Sequence, residues 1–168
     1  SGGIHGRCWF AAADIPAGTT VWWPPESPDP SELIVTIEEM ESWPKEKRDK
    51  FMELAYQIDD NHIAGFPDEE SVPYDILKEN FVNHSCDGNC WYDGLPLVTC
   101  RDVKKGEELV YDYALTEAHP GFKLQCLCRS ASCRGTITGE DWKKPELQAK
   151  YGRHFMPHIL ELIDHQKE

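Results

Sequence analysis

Apolar positions along the chain fall in short extended runs more often than on helical stripes, so the pattern predicts many brief strands and few helices. Residues 6–12 read as a strand, the segment Asp14-Ile15-Pro16-Ala17-Gly18-Thr19 as a turn, and residues 20–23 as a second extended run, together a hairpin-like pair. Prolines at 24, 25, 28 and 30 then bar regular structure, and residues 31–37 resume as a strand. Beyond Ser42 the period changes: Pro44 stands near a helix start and Phe51, Leu54, Ala55 and Ile58 recur at helical spacing, which predicts a helix over 44–56. A strand over 61–66 and an acidic loop over 67–73 follow. Asp93-Gly94 marks a turn into a β-like run over 95–101, and 109–113 reads as a further strand. From Asp141 onward, Trp142, Leu147 and Tyr151, then Phe155, Ile159, Leu160 and Ile163, predict helix, with Pro157 either dividing the two runs or opening the second. The fold class expected is mostly β with short helices.

With 168 residues the chain is one domain's worth and long enough to bury a core. Thirty acidic against 17 basic residues leave a formal charge of −13, which repels nucleic-acid phosphates and permits a cationic partner. Direct nucleic-acid binding is therefore not expected. Nor is membrane insertion, since no apolar run approaches the roughly 20 residues of a spanning helix and the first residues lack a signal-peptide core. Seven cysteines, three of them crowded into eight residues, suit metal ligation in a reducing, intracellular compartment better than a disulfide framework.

That crowd, Cys126-Leu127-Cys128-Arg129-Ser130-Ala131-Ser132-Cys133, supplies three thiolates in a C-x-C-x4-C spacing. Zinc prefers four such ligands in a tetrahedron, and Cys86 is the candidate for the fourth. Closed by four thiolates, such a zinc has no open position for substrate, so its role is structural. Cys86 lies in the chain's densest run of functional groups, residues 81–92, where Asn83 and His84 offer donors and acceptors to a polar ligand. His154 and His158 are four apart, but Pro157 between them favours packing over metal binding.

Taken in order, Ile4-His5-Gly6-Arg7-Cys8-Trp9-Phe10-Ala11, Asn83-His84-Ser85-Cys86, Gly106-Glu107-Glu108-Leu109-Val110-Tyr111-Asp112-Tyr113, and the cysteine cluster running into Arg134-Gly135 resemble a SET-domain protein-lysine methyltransferase with its post-SET zinc segment. The resemblance implies a SET domain over 4–115, a post-SET zinc segment over 122–138 and a C-terminal helical extension over 139–168. It also implies a fold of small twisted sheets, in which the chain near the catalytic tyrosine threads under the Asn-His segment as a pseudoknot.

The roles it implies are specific. S-adenosylmethionine would be lined by His5, Gly6, Arg7 and Trp9 on its methionine side, bonded by Asn83 and His84, and covered at the adenine by Leu127. Zinc would sit on Cys86, Cys126, Cys128 and Cys133. Tyr113 matches the catalytic tyrosine, and Tyr111 and Tyr92 would line the lysine channel, two hydroxyls that favour a low methylation state. Cys8 departs from the usual glycine. The implied partner is a basic protein or peptide such as a histone tail, with a nuclear location in a eukaryote. The alternative is a catalytically weak peptide-binding module on the same fold.

Overall fold

The computed structural model describes residues 6–26, 29–67, 70 and 72–166, so that Ile4, His5 and Pro28 named above lie outside it and the acidic loop over 67–73 only partly within it. In chain order come β1 (Trp9–Phe10), β2 (Thr20–Trp22), β3 (Leu33–Thr36), α1 (Ile37–Glu41), α2 (Lys45–Met52), β4 (Tyr56–Gln57), β5 (His62–Gly65) and α3 (Tyr74–Leu77). Then follow β6 (Asn83–His84), β7 (Cys90–Tyr92), β8 (Leu97–Thr99), β9 (Glu108–Tyr111), β10 (Lys123–Gln125), β11 (Thr136–Thr138), α4 (Pro145–Tyr151) and α5 (Pro157–His165). The expected class, mostly β with short helices, is what the chain forms. Two units arise, one from the N-terminal residues through Pro24 together with those from Val82 onward, the other from the residues between.

In the first unit a sheet runs β1-β9-β7-β8-β2, with β6 laid parallel on β9. The two N-terminal strands therefore do not form the expected hairpin: β1 pairs with β9 and β2 with β8. Their turn finds better partners than each other. Ile15 and Val103 exchange backbone hydrogen bonds at 2.8 Å, the Gly18 N–H reaches Thr99 O at 2.7 Å, and the Ala17 N–H reaches Asp102 Oδ1 at 2.9 Å. Stapled there, the turn delivers its strands to opposite edges.

The second unit is a β3-β5-β4 sheet with α1 and α2. The helix expected over 44–56 ends at Met52, because residues 56 and 57 are taken into the sheet against β5. Gly65 makes the close approach possible: a Cβ there would stand 2.8 Å from Ala55 Cβ and 3.0 Å from Phe51. The periodicity carried no sign of α1, which begins where Thr36 Oγ1 accepts from the Glu39 N–H at 3.0 Å.

The C-terminal helices share the core of the first unit. Trp142, Leu147, Tyr151, Phe155, Ile159 and Ile163 pack with Cys90, Tyr92, Leu97 and Leu109 of the sheet, and Phe155 and Ile159 are wholly buried. Each such side chain contributes about 1.5–3 kcal/mol by leaving water. Pro157 opens α5 at its first turn, the position where its missing N–H is harmless. Among the described residues no helix is long and apolar enough to cross a membrane.

Candidate functional site

The stretch 83–92 and the strand β9 are laced together more tightly than any pairing of neighbours in sequence would require. Asn83 lies opposite Val110 and His84 opposite Tyr111 in the parallel pairing, and the Ser85 N–H donates to Tyr111 O at 2.9 Å. Asn89, almost wholly buried, acts as a splice: its N–H donates to Val110 O at 3.0 Å, its Oδ1 accepts from the Val110 N–H at 3.0 Å, and its Nδ2 donates to Glu108 O at 2.8 Å. Gly88 lets the loop lie against the strand, since a Cβ there would come within 2.8 Å of Tyr111 Cα and 2.9 Å of Val110 O. Gly88→Ala is expected to destabilise the protein by about 1–3 kcal/mol through overpacking. A denaturant melt at unchanged m-value checks it.

β9 stops at Tyr111, two residues short of the expected strand end. Asp112 Oδ1 accepts from the Ala114 N–H at 3.1 Å and starts a short 3-10 turn, Tyr113–Leu115. That turn swings Tyr113 back under the other stretch, where its hydroxyl donates to Val82 O at 3.0 Å. Tyr111 lies 5.0 Å from Tyr113 between ring centroids and 5.4 Å from Tyr92, the latter pair edge to face. The three tyrosines expected to act together are thus one aromatic cluster. Burial, then the charges of Tyr111, Glu117 and Glu108, push the Tyr113 hydroxyl well above its ordinary pKa. Tyr92 is raised by burial and by Tyr111, and Tyr111 chiefly by burial. All three therefore remain neutral phenols at physiological pH.

Cys86, Cys126, Cys128 and Cys133 bring their sulfurs within 4.8 Å of one another. A zinc tetrahedron with Zn–S of about 2.3 Å has sulfur–sulfur edges of roughly 3.8 Å. The Cys86 and Cys126 sulfurs are 3.8 Å apart, so the donor set fits the metal in chemistry and in spacing. Arg129, with φ 56 the one non-glycine among the described residues in the left-handed region, turns the loop so that Cys128 and Cys133 face the same point. The thiols differ in acidity: burial raises Cys126, whereas at Cys128 burial is outweighed by hydrogen bonds from Ser130, Cys86 and Cys126, which together lower it to about 6. Of the other cysteines, Cys90 is buried and Cys8 and Cys100 are half-buried, all three reduced.

The residues expected around the cofactor fall into two groups. Gly6 (φ 101) and Arg7 are exposed, and Trp9 is half-buried on β1. The Asn83 Nδ2 donates to Arg7 O at 2.9 Å and to Glu108 Oε1 at 3.0 Å, fastening the first motif to β9. Leu127, between two ligand cysteines, is 57% exposed. An apolar side chain so presented on an anchored loop suits the face of a flat aromatic ligand. His84 is different: its ring is wholly buried, Nδ1 accepts from the Tyr113 N–H at 3.1 Å and Nε2 lies 3.3 Å from Cys86 Sγ.

Asp112 and Arg134 had no role of their own in the sequence reading and prove central, joined by Tyr151. Asp112, wholly buried, receives both Arg134 guanidinium nitrogens at 2.7 Å and the Tyr151 hydroxyl at 2.9 Å. Arg134 Nε continues to Asp141 at 2.8 Å. Asp112, the residue before Tyr113, is thereby tied to the cysteine loop and to α4. The C-terminal segment also grips Tyr92 on β7 and the end of the Tyr113 turn. The His154 Nδ1–H donates to Tyr92 O at 3.0 Å while its ring stacks on Trp91 at 3.8 Å, and His158 Nε2–H donates to Thr116 O at 2.8 Å. Asp112 between Tyr111 and Tyr113, and Arg134 directly after Cys133, were the hints of this network that the sequence held.

Comparison with known proteins matches the SET-domain family model to residues 6–114. The chain is similar to the histone-lysine N-methyltransferase ash1 of Drosophila melanogaster, 39% identical over 41% of this chain and 4% of that protein. It is also similar to an H3 lysine-4 specific histone-lysine N-methyltransferase of Schizosaccharomyces pombe, 36% identical over 48% of this chain and 10% of that protein. A third relative, the H3 lysine-9 specific dim-5 of Neurospora crassa, is 35% identical over 45% of this chain and 29% of that protein. The chain thus spans under a third of each of these relatives. Since the matched residues 6–114 make up more than half of the 168, the chain belongs to the SET-domain family.

Proposed function

We infer that the protein is a protein-lysine methyltransferase using S-adenosylmethionine, acting on a basic protein such as a histone tail and biased to low methylation states. The observation that carries this reading is the Tyr113 hydroxyl, held on Val82 O at 3.0 Å inside the tyrosine cluster. When bound, S-adenosylmethionine supplies a methyl group activated by a positively charged sulfur. With its proton committed to Val82 O and its pKa far above neutrality, Tyr113 presents oxygen lone pairs and does not serve as a base. Lone pairs fixed in a buried site steady positive charge at the reacting centre without reorganisation.

Asn83 uses its amide nitrogen on protein partners, which leaves its Oδ1 as an acceptor suited to an ammonium donor. Gly6, Arg7 and Trp9 border the same end, and Leu127 covers an aromatic ring at the other. His84, with its ring turned inward, contributes from its backbone. The four cysteines hold a structural zinc that fixes the loop bearing Leu127. Tyr92 and Tyr111 supply the hydroxyls that hold the lysine amine and restrict space for a methylated one. A formal charge of −13 favours a cationic substrate, and the relatives' names point to histones and hence to the nucleus of a eukaryotic cell.

Calorimetric titration with S-adenosylmethionine, followed by transfer of labelled methyl groups to mixed histones, tests the reading. Absence of cofactor binding would refute it and favour a peptide-binding module. Within it, Tyr111→Phe is expected to shift the product from mono- toward dimethyl-lysine by mass spectrometry. Prompt trimethylation by the unaltered protein would contradict the low-state bias.

A further inference from the structure

His84 occupies a position between the metal centre and the tyrosine turn that its expected cofactor role does not explain. Its ring is wholly buried, 5.3 Å from the Tyr113 ring, and both nitrogens face protein atoms. The Tyr113 N–H donates to Nδ1 at 3.1 Å, so Nδ1 carries the lone pair and the proton of a neutral ring must sit on Nε2. That Nε2–H faces the Cys86 sulfur at 3.3 Å, well within range of an N–H···S bond. A metal-bound cysteine is a thiolate, a stronger acceptor than a thiol.

A second strap runs in parallel. The Arg134 N–H also points at Cys86 Sγ, at 3.4 Å, and the Arg134 guanidinium clamps Asp112, the residue before Tyr113. The amide of Tyr113 and the side chain of its predecessor are therefore each one residue removed from the same sulfur.

We propose that His84, in its Nε2–H tautomer, is a positioning residue that transmits the metal-bound state of Cys86 to the backbone of Tyr113, with Arg134 as a second strap. This rests on the reading of Tyr113 as the catalytic tyrosine and of the four cysteines as a zinc site. The metal then has two functions in this chain: it anchors the loop carrying Leu127, and it sets the orientation of the tyrosine turn. Loss of metal lowers transfer even where cofactor is supplied in excess.

The test replaces zinc by cadmium-113 in the full, nitrogen-15-labelled chain and reads NMR spectra. The expected result is a protonated Nε2 and bare Nδ1 at His84, a through-bond correlation from cadmium to the His84 Hε2 and to the Arg134 amide proton, and a displaced Tyr113 amide resonance after chelation. A protonated Nδ1 overturns the proposal. So does the absence of a cadmium–His84 correlation in protein whose four cysteines do couple to cadmium.

Two variants separate the arms of the ring. His84→Gln extends a donor toward Cys86 but places no acceptor at Nδ1, so it is expected to keep a full complement of zinc and lose about 10–100-fold in kcat with KM for S-adenosylmethionine little changed. His84→Asn keeps an acceptor near Nδ1 and is expected to recover part of that loss while its cadmium correlation disappears. Equal kcat in both variants and the unaltered protein overturns the proposal. Full transfer by Tyr113→Phe with the cadmium–His84 correlation intact would instead refute the catalytic reading of Tyr113, a failure the spectra keep distinct from that of the strap.

Discussion

Tyr113→Phe is expected to lower the rate of methyl transfer by about 10²–10³-fold, the usual cost of removing one fixed polar group at the reacting centre. Folding should hardly change. The lost hydrogen bond, from the Tyr113 hydroxyl to Val82 O at 3.0 Å, contributes about 0.5–1.5 kcal/mol, and the ring keeps its contacts with Tyr111, His84 and Phe122. Cofactor affinity should also survive, since the residues assigned to it lie on β1, β6 and the cysteine loop. A single-turnover assay with labelled methyl groups, paired with calorimetry on the same preparation, separates these quantities. A variant that transfers at the unaltered rate would remove the tyrosine from the chemistry.

Arg134→Ala should cost about 3–5 kcal/mol, because it leaves the Asp112 carboxylate buried without its cation. For a domain of this size that is a fall in Tm of about 6–20 °C. Tyr151 and the Ala114 N–H would remain on Asp112, and Lys144 and Thr138 on Asp141, so neither acid is left wholly bare. Burial opposes the ionisation of Asp112 more than any other single influence, and the hydrogen bonds and charge of Arg134, with the Ala114 N–H, outweigh it and hold the carboxyl below its usual pKa. Its stabilisation is therefore present above the unfolded value of about 3.9 and is lost as pH falls from there through the lower folded value. Thermal melts at neutral pH and in mild acid should show the unaltered protein losing stability over that interval and the variant losing less.

Much of the site was legible from side-chain chemistry alone. Three cysteines in eight residues announce a metal whatever surrounds them, because thiolates at that spacing have few other uses, and Cys86 was reachable as the fourth because it stood in the densest run of functional groups. Fold class was legible for a similar reason: brief apolar runs broken by proline and glycine do not build long helices. Local propensity failed where long-range partners won. β1 and β2 looked like a hairpin, yet Val103, Thr99 and Asp102 outbid each strand's neighbour for the turn between them. The helix ending at Met52 was overruled by pairing of Tyr56 and Gln57 with β5.

The sequence by itself determined which groups are available: four thiols for a metal, three tyrosines and an Asn-His pair, and an acidic surface suited to a basic partner. Only the tertiary structure decided how they are joined. Parallel pairing of β6 with β9, the Asn89 splice and the tight Gly88 approach bring Val82 to the Tyr113 hydroxyl across a separation of 31 residues. Asp112, Arg134 and Tyr151 meet across separations of 22 and 39, and the C-terminal helices complete the core around them. Periodicity reports which side of an element faces inward and nothing about what it faces. Contacts at such separations depend on chain crossings that leave no local trace, which is why nothing near His84 in the sequence told that its ring stands, in the fold, between a sulfur and a tyrosine.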